Sequence, residues 1–563
     1  MRRATRALLV FLLAVAALAA DHSGNANAGL PGAPVVKVSA ASPTSLKVSW
    51  TSSTSPSRWW VILTSAGDDR SAGQRTVSGT ARSVVVQHLA PGSAYLARVV
   101  AVDPATGFGT FSVPVTGRTP GASACSNIAA GTTCALVNTT APVGAASGVG
   151  DGFVHSITDA TDPSRVTALQ PTAWRISALD FARFADARKY GGAITALVSD
   201  PWATGMGSPA PWDMWDWYKM WLGFVVDLHV QAGMIPDYWE IQNEPDGPLS
   251  YVSGTPRSPD LVFQQYLIAS EVIHQKLPDA KVIGPSPSYV TFGSGMADID
   301  GFLQKAAASD MHLAGVSWHE IGAGCLGYCD GSPRAVLQHA DDVRASIAAN
   351  PSLGKLSLQV NEYGAPWDAR QPGANVGYLS SLAYAGVDLA NETCNPVDLS
   401  GGGSDITCWR APGMLDGLLM DDGTTPTDAW FVHQAYAQMT GAGFTLLDST
   451  IADPEASVVS TVGANGAIHV LLGRHTGCQV GIDDMCPGAS YAAPKQVAAV
   501  LSVARNSRAR YNVTVQRIAS VHGASSGPVT IATTTVAAAN GRVNAGTYTV
   551  ADGEALILTL TPA

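Results

Sequence analysis

Charge is what this sequence has least of. Only 14% of its 563 residues are charged, against about 25% in an average soluble protein, while 46% are hydrophobic. A surface poor in ionic groups has to be covered by Ser, Thr, Asn and Gly, which suits an exported protein. Positive charge is scarcer still: 33 Lys and Arg against 44 Asp and Glu leave a formal net charge of −11. Outside the extreme N-terminus there is no basic cluster, which argues against nucleic acid or an anionic membrane surface as partner. Beyond Ala20 no apolar run is long enough to span a bilayer. The patterns His-x-His and His-Glu-x-x-His are missing and the 12 His are scattered. A metal-dependent barrel hydrolase, which a chelator would inactivate, therefore has little support. No internal repeat or low-complexity tract stands out.

What is present begins with Arg2, Arg3 and Arg6 ahead of an apolar run from Ala7 to Ala20, with Ala17-Leu18-Ala19 as small residues for cleavage. Residues 1–28 read as a signal peptide, too short for a membrane anchor. The mature chain is expected to be secreted and extracellular. Eight cysteines fall into four close pairs: Cys125 and Cys134, Cys325 and Cys329, Cys394 and Cys408, Cys478 and Cys486. Four local disulfides with that pairing are expected, each tying down one loop.

The length suits about three or four domains. Residues 32–119 hold short strands between turn residues, expected at 35–38, 45–50, 59–64, 83–87, 94–103 and 109–116. Trp50 is placed like a sandwich-core tryptophan. Together with Leu89-Ala90-Pro91-Gly92-Ser93-Ala94-Tyr95, it makes the segment resemble the fibronectin type III module. That resemblance implies a β-sandwich with Tyr95 as its tyrosine corner, used as a spacer. Trp59 and Trp60 are expected to pack in the core or at an edge before they touch sugar. Residues 120–150 read as a linker and strands joining a C-terminal sandwich.

From 151 to 441 the pattern alternates strand with helix. Strands are expected at 153–157, 173–177, 193–199, 238–243, 281–284, 315–319, 356–361 and 405–409. Helices fall between them, including 212–231 with an apolar face of Trp215, Met220, Trp221, Phe224, Val225 and Leu228, and 376–390. Eight such units in about 300 residues fit a (β/α)8 barrel. Residues 442–563 return to short alternating strands, read as a C-terminal β-sandwich packed on the barrel.

Two of the barrel strands end alike. Strand four runs into Asn243-Glu244-Pro245 and strand seven into Asn361-Glu362. Two carboxylates at the carboxyl ends of barrel strands are the equipment for breaking a glycosidic bond: one protonates the leaving oxygen, the other attacks the sugar or activates water. Such a site needs no cofactor. Glu240 lies four residues before Glu244, deeper in the barrel, and reads as a buried, paired structural group. Glu320 is a rival carboxylate, but no Asn precedes it. Arg175 is expected to bind substrate or nucleophile, or to form a structural ion pair. Trp202, Trp318, Trp367 and Trp409 lie at expected strand ends, where a sugar face can stack, Trp409 foremost. Two like charges at this spacing would raise the pKa of Glu244.

The stretch Trp239-Glu240-Ile241-Gln242-Asn243-Glu244-Pro245 resembles the acid/base motif of the retaining clan A glycoside hydrolases. Asn361-Glu362-Tyr363-Gly364 resembles their nucleophile motif, and family 39 is the one most resembled. The resemblance implies Glu244 as general acid/base, Glu362 as nucleophile and Asn243 on the sugar 2-hydroxyl. By the segment Val316-Ser317-Trp318-His319, it also implies His319 orienting the nucleophile or a hydroxyl. Gln242 stands where the clan often has tryptophan, which bears on sugar selectivity. The expected function is double-displacement hydrolysis of a poly- or oligosaccharide. The alternative is a non-catalytic carbohydrate-binding or adhesion protein on a degenerate barrel, which would be expected to have lost a carboxylate. The sequence leaves the oligomeric state open.

Overall fold

Eight short strands, buried on both faces, close into a parallel barrel in sequence order. They are Gly152–Val154, Ala173–Ser177, Ala193–Leu197, Tyr238–Glu240, Val282–Pro285, Gly315–Glu320, Ser357–Tyr363 and Leu389–Glu392. Closure is made by Phe153 of the first strand against Glu392 of the eighth. The computed structural model describes residues 32–563 apart from 54–55, 57, 67–70, 88, 103–108, 122, 200–213, 247–257, 289, 291–297, 322–332, 366–369, 394–413, 452, 454, 476–492, 505–506 and 522. The signal-peptide reading of 1–28 and the cysteines Cys325, Cys329, Cys394, Cys408, Cys478 and Cys486 lie outside the described residues. The remaining pair, Cys125–Cys134, is bonded, with Cα atoms 6.1 Å apart. Among the described residues no helix is long and apolar enough to cross a membrane.

The helices begin where short polar side chains take up free backbone N–H groups. Asp162 accepts from Ser164, Asp180 from Arg183, Ser258 from Leu261 and Asp298 from Gly301, a stabilisation of about 1 kcal/mol each. Three sequence expectations are corrected here. The helix expected to run to 390 ends at Ala385, because Gly386 turns left-handed with φ 60° and stops it. The next residues, Leu389–Glu392, are the eighth barrel strand, in place of 405–409, which lie outside the described residues. The helix Trp215–Ala232 buries Tyr218, Leu222, Val225, Val226 and His229. Met220 and Phe224, expected to face inward, are 65% and 59% exposed.

The helix Pro372–Ala385 is buried on nearly every side, because it lies between the barrel and the C-terminal β unit. That unit is one nine-stranded sheet, curled round a core including Val470, Val513, Val543 and Leu558. Thr132–Ala145 pairs antiparallel with Phe444–Ile451 and parallel with Lys495–Ser502. The seam between barrel and sheet is tight at Gly373, where a Cβ would stand 1.9 Å from the Arg474 carbonyl oxygen.

The N-terminal module packs two sheets around Trp50 and Trp59, whose rings are 5.6 Å apart. Trp59 is fully buried and donates to the Gly79 carbonyl. The Tyr95 hydroxyl accepts from Ala90 N–H at 2.7 Å. Ser71–Ser78 adds a strand beside Arg58–Ser65 that the sequence pattern did not reveal. The module is docked on the barrel helices. Arg58 pairs with Asp300, and the buried Arg75 reaches Asp341 at 2.8 Å.

Gly373→Ala should force helix and sheet apart. The expected cost is about 1–3 kcal/mol, read as a fall in Tm without loss of the barrel's secondary structure by circular dichroism.

Candidate active site

A strand alternates its side chains between two faces, so an Asn-Glu pair normally sends one residue inward and one outward. Here both members of both pairs face the barrel interior, and a backbone irregularity does this each time. In strand seven the pairing with strand six slips, so that Trp318 opposes Val360 while His319 opposes Glu362. The extra residue, Asn361, makes a bulge that turns Asn361 and Glu362 to the same side. At the end of strand four, Glu244 takes a left-handed backbone with φ 43°, at a cost of order 1–3 kcal/mol. Its N–H is held by the Ser286 carbonyl at 3.0 Å. Ser286 is itself left-handed, φ 57°, and its N–H donates to Ser317.

Arg175 joins these elements across the interior. Its Nε donates to Glu240 Oε2 at 2.6 Å, Nη1 to Glu362 Oε1 at 2.6 Å and Nη2 to Asn243 Oδ1 at 2.8 Å. Arg175 and Glu240 are fully buried. The other Glu240 oxygen accepts from Asn361 Nδ2 and, at 3.3 Å, from the Ser317 hydroxyl. A charge pair this deep is tolerable only because its remaining lone pairs and protons are also satisfied. On the far side, His319 Nδ1 lies 3.0 Å from Glu244 Oε1 and 3.8 Å from Glu362 Oε2. Its Nε2 is 3.2 Å from the Ser286 hydroxyl. One carboxylate oxygen each of Glu244 and Glu362 and a ring nitrogen of His319 all lie within 4.8 Å of one another.

The electrostatics correct one expectation. Burial pushes the Glu244 carboxyl up. The hydrogen bond and charge of His319, with help from Arg175, outweigh burial and hold it below its ordinary value. Burial pushes His319 down, but Glu362 and Glu244 together hold it above its ordinary value. The expected rise at Glu244 counted two carboxylates and omitted the imidazole between them. A divalent cation would meet two carboxylates and one imidazole here, beside the Arg175 guanidinium that already bonds Glu362.

The structure brings together Arg175, Asn243, Glu244, His319 and Glu362. It does not place Trp318 with them. Trp318 is fully buried on the outer face of strand six, with Nε1 donating to Glu320 Oε1 at 2.7 Å, so no sugar can stack on it. Glu320 faces outward too and bonds His339. Gln242 is buried against the helix Pro259–Lys276, where it bonds Gln265, and does not reach the mouth. Trp202, Trp367 and Trp409 lie outside the described residues. Sequence reasoning missed Ser286, Ser317 and Asn361 as site residues. Asn361 stood in plain view in the second Asn-Glu pair, and Ser286 is marked only by following Pro285 at a strand end.

Residues 32–118 match the fibronectin type III domain. No curated protein matches the chain. Among solved structures, a protein from Neocallimastix frontalis is 17% identical with a TM-score of 0.61, over 77% of this chain and 100% of that one. The glucosidase from Croceicoccus marinus is 16% identical with a TM-score of 0.51, over 77% and 99%. The family 39 glycoside hydrolase from Xanthomonas axonopodis pv. citri is 14% identical with a TM-score of 0.52, over 78% and 99%. At these identities the likeness is one of fold, a fold that glycoside hydrolases use, and it singles out no one family.

Arg175→Met leaves Glu240 and Glu362 buried without their cation, an expected loss of about 3–5 kcal/mol near neutral pH. Urea unfolding of the variant at about pH 7 should show that deficit as a lower midpoint with an unchanged slope.

Proposed function

We propose that this chain is an exported glycoside hydrolase that cleaves O-glycosidic bonds of a poly- or oligosaccharide with retention of configuration. Glu362 is the nucleophile and Glu244 the general acid/base. The observation that carries this reading is the approach of the two carboxylates, with an oxygen of each inside 4.8 Å. Carboxyl groups about 5–5.5 Å apart suit direct attack on the sugar, whereas an intervening water needs about 6.5–9.5 Å.

The surroundings support a role for each atom. Glu362 Oε1 is taken by Arg175, which leaves Oε2 as the attacking oxygen. The guanidinium holds the carboxylate in one orientation, so little motion is needed at the moment of attack. Asn243 Oδ1 is also taken by Arg175, which turns its Nδ2 into the free donor for a sugar hydroxyl. In the first step Oε2 bonds the anomeric carbon as the glycosidic bond breaks and Glu244 supplies a proton to the departing oxygen. In the second, Glu244 draws a proton from water, water attacks the same carbon and Glu362 leaves. Inversion at each step returns the original configuration.

Glu362→Gln should abolish hydrolysis of aryl glycosides. Glu244→Gln should lower kcat/KM by about 10²–10⁴ for poor leaving groups, with less effect on good ones. Proton NMR of the first-formed sugar should show the anomer of the substrate, and a chelator should leave the rate unchanged. Wild-type rates in Glu362→Gln would rule out Glu362 as the nucleophile, and a wild-type chain that binds glycans without hydrolysing them would fit a protein that only binds carbohydrate.

A further inference from the structure

A general acid must carry a proton when the leaving group departs, yet the hydrogen bond and charge of His319, with Arg175, hold Glu244 below its ordinary value. Resting on the hydrolase reading, we propose that His319 stores this proton on Nδ1 in the resting site and passes it to Glu244 as Glu362 becomes esterified. The charge inventory motivates this. Glu240, Glu244 and Glu362 converge with one guanidinium, Arg175, and one imidazole, His319. Arg175 spans Glu240 and Glu362, and His319 Nδ1 stands 3.0 Å from Glu244. The groups facing His319 are Glu244 and Asp246 from the end of strand four, Glu362 from strand seven and Arg175 from strand two.

Geometry also selects which nitrogen exchanges the proton. Asn361 bonds a carboxylate oxygen of Glu240, an acceptor only, so its amide nitrogen must face that way. The same nitrogen donates to the Ser286 hydroxyl at 2.9 Å and fills one of its two lone pairs. The other lone pair and the hydroxyl proton are left for His319 Nε2 at 3.2 Å, so that contact holds with the ring nitrogen as donor or as acceptor. Nδ1, 3.0 Å from Glu244 and 3.8 Å from Glu362, is the ring nitrogen that faces the carboxylates, and in this proposal it is the exchanging atom while Nε2 keeps its proton. When Glu362 Oε2 bonds the anomeric carbon, Glu362 loses its charge and His319 loses one of the two anions that hold its proton.

The proton moves from Nδ1 to Glu244 and from Glu244 to the leaving oxygen, while the glycosidic carbon–oxygen bond breaks. The intermediate then holds neutral His319, ionised Glu244 and esterified Glu362. In the second step a water proton passes through Glu244 back to Nδ1. The water oxygen bonds the anomeric carbon, and Glu362 departs with its electron pair and regains its charge. The net reaction is addition of water across the glycosidic bond.

The test uses the full chain labelled with ¹⁵N-histidine, the His319 signals being assigned by their loss in His319→Gln. In the resting protein at near-neutral pH both ring nitrogens should carry protons. Trapping Glu362 with a 2-fluoro glycoside should remove the proton from Nδ1 alone. A neutral His319 at rest, or an imidazolium that persists after trapping, overturns the proposal. In parallel, the loss of kcat/KM in His319→Gln should be about 10²-fold greater on a phenyl glycoside than on the 2,4-dinitrophenyl glycoside, which needs no proton. Equal losses on both would mean that His319 only orients its neighbours. A wild-type chain inactive on a broad glycan panel would sink the hydrolase reading instead, while the resting-state spectrum would still report where the proton sits.

Discussion

The guanidinium of Arg175 is the interaction on which the site depends. It sits fully buried inside a closed barrel and bonds side chains from strands four and seven at once. A lone carboxylate there would neutralise itself rather than stay ionised. Two of them, Glu240 and Glu362, share a cation whose planar fork meets each with a separate nitrogen, a geometry lysine cannot copy. Glu240 never needs to meet substrate. Its part is to hold Arg175 from behind, and it collects Asn361 and Ser317 while doing so.

A second buried cluster shows what happens without such a cation. On the outer side of the barrel, His433 contacts Asp151 at 2.9 Å and Glu392 at 3.2 Å. Burial there pushes His433 down to about 3 and raises both carboxyls well above their ordinary values. Burial without a guanidinium disfavours the charged forms in that cluster, whereas in the Arg175 cluster a permanent cation bonds Glu240 and Glu362 directly.

The remainder of the chain supports the barrel from two sides. The nine-stranded sheet closes over the helix that follows strand seven, through a contact so close that glycine is required. The fibronectin module is tied to two other barrel helices by Arg58 and Arg75. Both attachments lie on the outer layer and leave the strand ends, where the carboxylates meet, to the loops.

Much was legible in the order of residues alone, because local chemistry carries it. The alternation of strand and helix, the sandwich pattern around Trp50 and Tyr95, and the two Asn-Glu strand ends all depend on near neighbours in the chain. The eighth strand was misplaced because one glycine, Gly386, ends a helix whose apolar pattern runs on without it. Trp318 was misjudged because a strand end does not say which face a side chain takes. Neighbouring residues could not announce that both members of each Asn-Glu pair turn inward. That depends on a bulge against strand six and a left-handed residue held by Ser286, contacts between segments distant in sequence. The protonation of Glu244 was likewise decided only in three dimensions. Electrostatic energy depends on distance through space, and His319 stands 75 residues away in the chain but 3.0 Å away in the fold.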